Sequence, residues 1–462
     1  MASPGSAFEY ASANLAGAVE ALKELLRVPS ISALPDHAAD TRRAADLVAA
    51  MLDLAGLEEA RAVGDPGGGY PVVRGDWLGA PGAPTLLLYG HYDVQPPDPL
   101  DEWVSPPFEP VERDGRVYAR GADDNKGQLV AIIKGVEAVL KTAGRLPVNV
   151  KFLVEGEEES GGKALPSYLR DHAAEAAGDA VFVADSQWVT FDRPTIVTAL
   201  RGLVYVEVEA AGARQDLHSG TYGGIAPNPL NALAWLLAEL KGRDGRVRIP
   251  GFYDAVRPPG DVERQAWASL GIDEAALLRD EVGAAAYFGE EGQDLHERRW
   301  GRPTLDVHGI RGGFTGEGAK TVIPARATAK VSMRLVPAQD PRQVYEAFTR
   351  FVEDATPPGV TFTVRPINID PPVEASPAGR GVKALARALE RGFDRAPAFI
   401  RMGGSVPVTT AFHEALGVEL LVTGFGLPDA RLHSPNENFA LSQLEGGIRS
   451  VAALLEEFGR QG

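Results

Sequence analysis

Three short apolar runs, each ending on groups that bind metal or move protons, constrain this chain more than any other feature. "PTLLLYGHYD" ends on His91 and Asp93, "VNVKFLVEGEEES" on Glu157, Glu158 and Glu159, and "AVFVAD" on Asp185. Such runs read as buried strands. Between the first two, Leu129, Ile133, Val136 and Leu140 recur at helical spacing and stop near Gly144. Strands alternating with helices predict an α/β sheet. In such sheets functional groups gather at the carboxyl ends of the strands.

Near Arg201 the pattern changes. Val204, Val206 and Val208 alternate with Tyr205, Glu207 and Glu209, which predicts a sheet with one wet face. Leu230, Leu233, Leu237 and Leu240 mark a helix, and "AKVSMRLVP" alternates again. Asp340 and Pro341 have the chemistry of an N-cap and first helical residue, ahead of Val344, Phe348 and Phe351. The stretch from about Gly245 to Gly313 is rich in Pro, Gly and charge and reads as an extended insertion. Helical α/β character returns with "VKALARALERGF" and with Leu444, Ile448, Val451 and Leu455. At 462 residues the chain exceeds a single core. We therefore expect a catalytic domain over 1–200 and 376–462, interrupted by an α+β domain over 201–375.

Composition removes several classes of function. There is no cysteine, so disulfides, thiolate metal sites and a Cys nucleophile are excluded. Any metal must be held by His and carboxylates. That composition fits a cytoplasmic protein. The first apolar stretch carries Glu20, Lys23 and Glu24, so no secretory signal is expected there. A formal net charge of −17 argues against nucleic acid or anionic membrane as partners.

Taken singly, each reactive group has a plain structural reading. His91 and Asp93 share one face of a strand, with Tyr92 turned away, yet a lone His-x-Asp also serves as a strand end. A triple Glu reads equally as a solvated charge run. Asp185 suits a turn, and "LHSPNENF", with His433, suits an ordinary polar loop. Spacing alone leaves open Asp123 or Asp124, and which of Glu157 to Glu159 matters. The strength lies in the set, in the order an α/β sheet would bring together.

Eight segments in order, "GHYD", "RGADDNKG", "EGEEESGG", "VADSQW", "RQDLHSGTYGG", "KTVIPARATAKVSMRLVP", "RMGGSVPV" and "LHSPNENF", resemble the signatures of carnosinase-type dipeptidases. These belong to the aminoacylase and carboxypeptidase G superfamily of two-metal hydrolases. The resemblance implies a zinc-exopeptidase-like catalytic domain with an inserted lid domain through which subunits dimerise. It implies that His91 and Asp185 hold one metal, Glu159 and His433 the other, and that Asp124 bridges them. Asp93 would orient the His91 ring, and Glu158 would be the general base. His218 would reach the partner subunit's active site and stabilise the oxyanion. Arg334, Thr321, Gly404 and Ser405 are the implied substrate contacts. The sequence has Asn125 where such proteins often carry a second Asp, a change expected to matter little because that position is not a ligand.

The chemistry follows from the residue types. Two divalent ions carry four positive charges against three from Asp124, Glu159 and Asp185. The remaining positive charge favours a bridging hydroxide able to attack a peptide carbonyl, with Glu158 moving the proton to the leaving amine. Oxygen-rich ligation with two His suits zinc first, with manganese and cobalt as alternatives. The expected activity is hydrolysis of small dipeptides. The alternatives are an N-acyl-amino-acid deacylase or carboxypeptidase using the same groups, and a non-catalytic metal- or peptide-binding homologue.

Overall fold

The structure is a computed structural model and describes residues 5–64, 68–404 and 407–460. Contacts divide the chain into two compact units. The first is Met1–Thr198, Ala375–Ile400 and Pro407–Gly462; the second is Ala199–Glu374 with Arg401–Val406.

The first unit is built on a mixed sheet. Its order is Glu58–Val63, Val72–Trp77, Asn149–Glu155, Thr85–His91, Ala180–Ala184, Glu419–Gly424, Thr195–Leu200, with Ala398–Met402 also paired to Thr195–Leu200. The four strands from Asn149–Glu155 to Glu419–Gly424 run parallel, and the strands that flank them run antiparallel. The parallel strands are the apolar runs of the sequence. Leu86, Leu87, Leu88, Val181 and Val183 are fully buried, as a sheet covered on both faces requires. Parallel neighbours put their carboxyl ends on one edge, so His91, the Glu157–Glu159 segment and Asp185 emerge together.

Helix Lys126–Ala143 connects two of these strands and ends on Gly144 in the left-handed conformation, φ 71°. Its buried residues lie all round its axis, not on one stripe. It packs against Leu441–Gly459, which in turn packs against Arg380–Phe393. Gly135 makes the first crossing feasible: a Cβ there would lie 2.5 Å from the Cβ of Val451. A helix over Ala7–Ala13, capped by Ser6, precedes the expected Leu15–Leu26 helix.

The second unit has a four-stranded antiparallel sheet, ordered Thr304–Gly312, Arg326–Leu335, Gly202–Ala211, Thr361–Asp370. Gly202–Ala211 alternates buried and half-buried residues along its whole length. Val204, Val206, Val208, Val331 and Met333 form a core with Leu233 and Leu236 of helix Pro229–Leu240 and Phe348 of helix Pro341–Asp354. Asp340 caps the latter, accepting the Arg342 amide at 2.8 Å. One expectation needs correction. The edge strand Thr304–Gly312 lies inside the stretch read as an insertion. Only Leu305 in it is buried, so it carries no two-residue apolar rhythm.

Candidate metal centre

The carboxyl edge of the first sheet carries the reactive groups. His91 closes its strand and is fully buried. Its Nδ1 lies 3.2 Å from both the carbonyl oxygen and the Oδ1 of Asp93. Nε2 is thereby aimed at Asp124 Oδ1, 3.1 Å away, and Asp185 Oδ1, 3.5 Å away. Asp93 also accepts the Ser32 hydroxyl at 2.6 Å and the Glu159 amide at 3.1 Å through Oδ2. Tyr92 points the other way, its hydroxyl donating to the Pro71 carbonyl at 2.5 Å.

Asp124 uses both carboxylate oxygens. Oδ1 faces His91, and Oδ2 lies 3.0 Å from Nε2 of His433. His433 Nε2 is also 3.3 Å from Glu159 Oε1. The result is two groups that share Asp124: His91, Asp124, Asp185 and Asp124, Glu159, His433. Within each, the available ligand atoms lie within 4.8 Å of one another. Asp123 is not in either group. It is fully buried, and its carboxyl packs against Gly426. His433 sits at φ 56°, between Arg431 at φ 60° and Asn436 at φ 64°. Three non-glycine residues in the left-handed region within one loop is a costly arrangement of the kind found at functional sites. Asn436 ties this loop to the 96–104 loop by bonds to the Val104 amide and Glu102 carbonyl, each 2.8 Å.

The three glutamates divide their work. Glu157 accepts the Lys163 and Ala164 amides at 3.1 and 3.2 Å at the start of helix Ala164–Asp171, and the Tyr70 amide at 3.0 Å. Glu159 faces His433. Glu158 belongs to neither ligand group. Burial, reinforced by Asp185, Glu159 and Asp124, pushes its carboxyl up to about 9.

These residues fit divalent cations. Glu159 and Asp185 are both raised, burial first, and each has Asp124 as a like-charged neighbour. Glu159 Oε1 is buried, and the group that faces it is His433 Nε2, 3.3 Å away. Hydrogen bonds to Asp124 and Glu159 hold His433 up to about 10. Burial opposes protonation of His91, but Asp185, Asp124 and Asp93 outweigh it and raise it. Four crowded carboxylates and two imidazoles that attract protons form a site short of positive charge. Cations at the two groups would supply that charge and displace those protons.

The family model for peptidase family M20/M25/M40 matches residues 87–457. The chain belongs to that family. It is 33% identical over 398 residues to the Cys-Gly metallodipeptidase of Candida albicans, covering 84% of this chain and 82% of that protein. The crystal structure of human carnosine dipeptidase 1 superposes with a TM-score of 0.81 at 30% identity, covering 98% of both chains. That of an M20 family metallo-carboxypeptidase from Sulfolobus solfataricus gives 0.83 at 32% identity, covering 96% of this chain and 99% of that one. The family is one of metal-dependent peptidases, so the protein is a hydrolase of that type.

In the second unit, the antiparallel pair Leu217–His218 and Val322–Ile323 brings His218 next to Thr321, whose carbonyl accepts the Ser219 amide at 3.1 Å. His218 is exposed and accepts the Gly220 amide through Nδ1. Arg334 is half-buried opposite Leu203, and burial lowers its pKa, partly countered by Asp370. Gly404 is exposed, and Ser405 lies outside the described residues.

Three further residues support the site: Gln95 and Glu437, which the sequence did not single out, and Asn125, which it did. Gln95 donates to Glu159 Oε2 at 2.8 Å. Asn125 donates to the Ala184 carbonyl at 2.7 Å and to Asp185 Oδ1 at 2.8 Å, stapling two strand ends. Position 125 was expected to matter little; its amide is a donor that Asp would lack. The third is Glu437. Asn125 and Glu437 lie inside quoted segments and Gln95 just beyond one, in irregular stretches where periodicity carries no signal.

Proposed function

We propose that the protein is a two-metal dipeptidase. His91 and Asp185 would hold one ion, Glu159 and His433 the other, with Asp124 shared; zinc fits this ligand set, as do manganese and cobalt. The observation that carries the reading is the pair of three-residue groups joined through the two oxygens of one aspartate. When bound, such ions acidify water and polarise a carbonyl. The chain supplies the rest. Asp93 fixes the His91 ring so that Nε2 faces the ions. Glu158 takes a proton from the attacking water onto its carboxylate and returns it to the departing amine nitrogen. A base must be ionised near neutral pH. Burial is the main cause that raises Glu158, and cations at the two groups would bring it down by offsetting the Asp185, Glu159 and Asp124 charges that add to it.

Arg334 would take the substrate's terminal carboxylate as a bidentate donor. Thr321, Gly404 and Ser405 would be further substrate contacts. His218 would stabilise the oxyanion in a partner subunit, which makes the active form a homodimer through the second unit. A cytoplasmic location fits the absence of cysteine. No helix among the described residues is long and apolar enough to cross a membrane.

Relatives named as a Cys-Gly metallodipeptidase and a carnosine dipeptidase favour free dipeptides as substrates. The equally similar metallo-carboxypeptidase supports a second reading, removal of the last residue from longer peptides. Metal-loaded protein assayed on Cys-Gly, β-Ala-His, other dipeptides, tripeptides and N-acetyl amino acids separates them. Dipeptides should lead in kcat/KM. If tripeptides or N-acyl substrates exceed them by orders of magnitude, the dipeptidase reading fails.

A further inference from the structure

Glu437 stands in "SPNENF", a stretch that reads as a solvated loop. In the structure its carboxylate is fully buried. A buried carboxylate is costly unless donors surround it. Glu437 has four. Oε2 accepts Arg120 Nη1 at 2.8 Å and the Gly121 amide at 2.9 Å. Oε1 accepts the Asp123 amide at 2.9 Å and the Asp124 amide at 3.0 Å. The adjoining strand Asn438–Ala440 pairs with Arg116–Tyr118 and continues the same attachment.

Two loops meet at this one side chain. One carries Asp124, whose own amide Glu437 holds. The other carries His433, four residues earlier in the sequence. Asp124 Oδ2 and His433 Nε2 lie 3.0 Å apart. The His91 and Asp185 side of the cluster is fixed differently, by adjacent strand ends and by the Asn125 staple. Asp124 belongs to both groups but His433 to one, so loosening the link between the two loops bears most on the Asp124, Glu159, His433 group.

We propose that Glu437 is a positioning residue that sets the register between the Asp124 and His433 loops, and so supports binding at the Asp124, Glu159, His433 group selectively. This rests on the reading that the two groups hold divalent ions. Residues that orient ligands through hydrogen bonds commonly contribute about tenfold to a hundredfold in metal affinity.

The test is calorimetric titration of cobalt(II) into the chelator-stripped full chain, with melting curves recorded alongside. Wild type should bind two ions, and His433→Ala should lose one event. In Glu437→Gln that same event should weaken about tenfold to a hundredfold, while the other stays within about threefold. Glu457→Gln is the control. Glu457 is also buried and multiply paired, to Arg387, Arg391 and Arg460, but on the last helix. It should lower the melting temperature and leave both events unchanged. If Glu437→Gln does not fold, Glu437→Asp keeps the charge with a shorter reach and should show the same selective weakening. Unchanged affinities, or equal weakening of both events, would overturn the inference alone. Failure of wild type to bind two ions would overturn the two-metal reading with it.

Discussion

Replacing Glu158 with Gln removes one proton acceptor and almost no volume. Glu158 lies outside both ligand groups, so both ions should still bind at two per chain. Loss of a positioned base costs about 10²- to 10⁴-fold in rate, equivalent to about 3–5 kcal/mol of barrier. The loss should appear in kcat, with KM nearly unchanged, because the group acts on the transferring proton. The metal-free protein offers a second readout. Its Glu158 carboxyl is pushed up to about 9 by burial and by Asp185, Glu159 and Asp124. From the ordinary carboxylate range up to that value, the unfolded chain releases this proton while the folded chain keeps it. Folding stability therefore falls as pH rises through that window. Glutamine mimics the protonated acid and escapes the effect. Metal-free Glu158→Gln should melt above wild type at pH 8, and the gap should close toward pH 4. Steady-state kinetics, metal analysis and melting curves check these outcomes. Activity within tenfold of wild type would refute the assignment; loss of an ion would indicate that Glu158 and Glu159 have exchanged roles.

Gly135→Val should destabilise the first unit by about 1–3 kcal/mol or more, read in a melt, because any Cβ there collides with Val451. Asn125→Asp replaces a donor facing Ala184 O and Asp185 Oδ1 with an acceptor; it should cost about 1–3 kcal/mol and weaken metal binding, measured by melt and titration. His91→Ala and His218→Ala, each inactive alone, should recover activity when mixed and allowed to exchange subunits; no recovery after verified exchange would place His218 in its own subunit's site.

The parallel strands were legible because a strand covered on both faces must be apolar throughout, as Leu86 to Leu88 are. The helix after "RGADDNKG" was legible by its period, although its burial all round exceeds what a single stripe predicts. The edge strand Thr304–Gly312 was not, because an edge strand with one buried residue has little pattern to read. The antiparallel flanks of the first sheet were equally silent, since strand order is a long-range property that no local window carries. At the centre, His91, Asp124, Glu159, Asp185 and His433 were identified by their place in matched motifs, and the structure brings those five together. Gln95 and Glu437 escaped, and the part played by Asn125 was not visible, because their role is hydrogen bonding to residues far along the chain. Glu437 and Asp124 are 313 positions apart.

The central claim is two ions per chain acting on a dipeptide bond. Its most direct test is activity against metal equivalents. Chelator-stripped protein is titrated with zinc, manganese or cobalt while hydrolysis of the best dipeptide is followed. The stripped protein should be inactive, and activity should reach its full value at two equivalents. Full activity without metal, or saturation at one equivalent with no second ion bound, would contradict it.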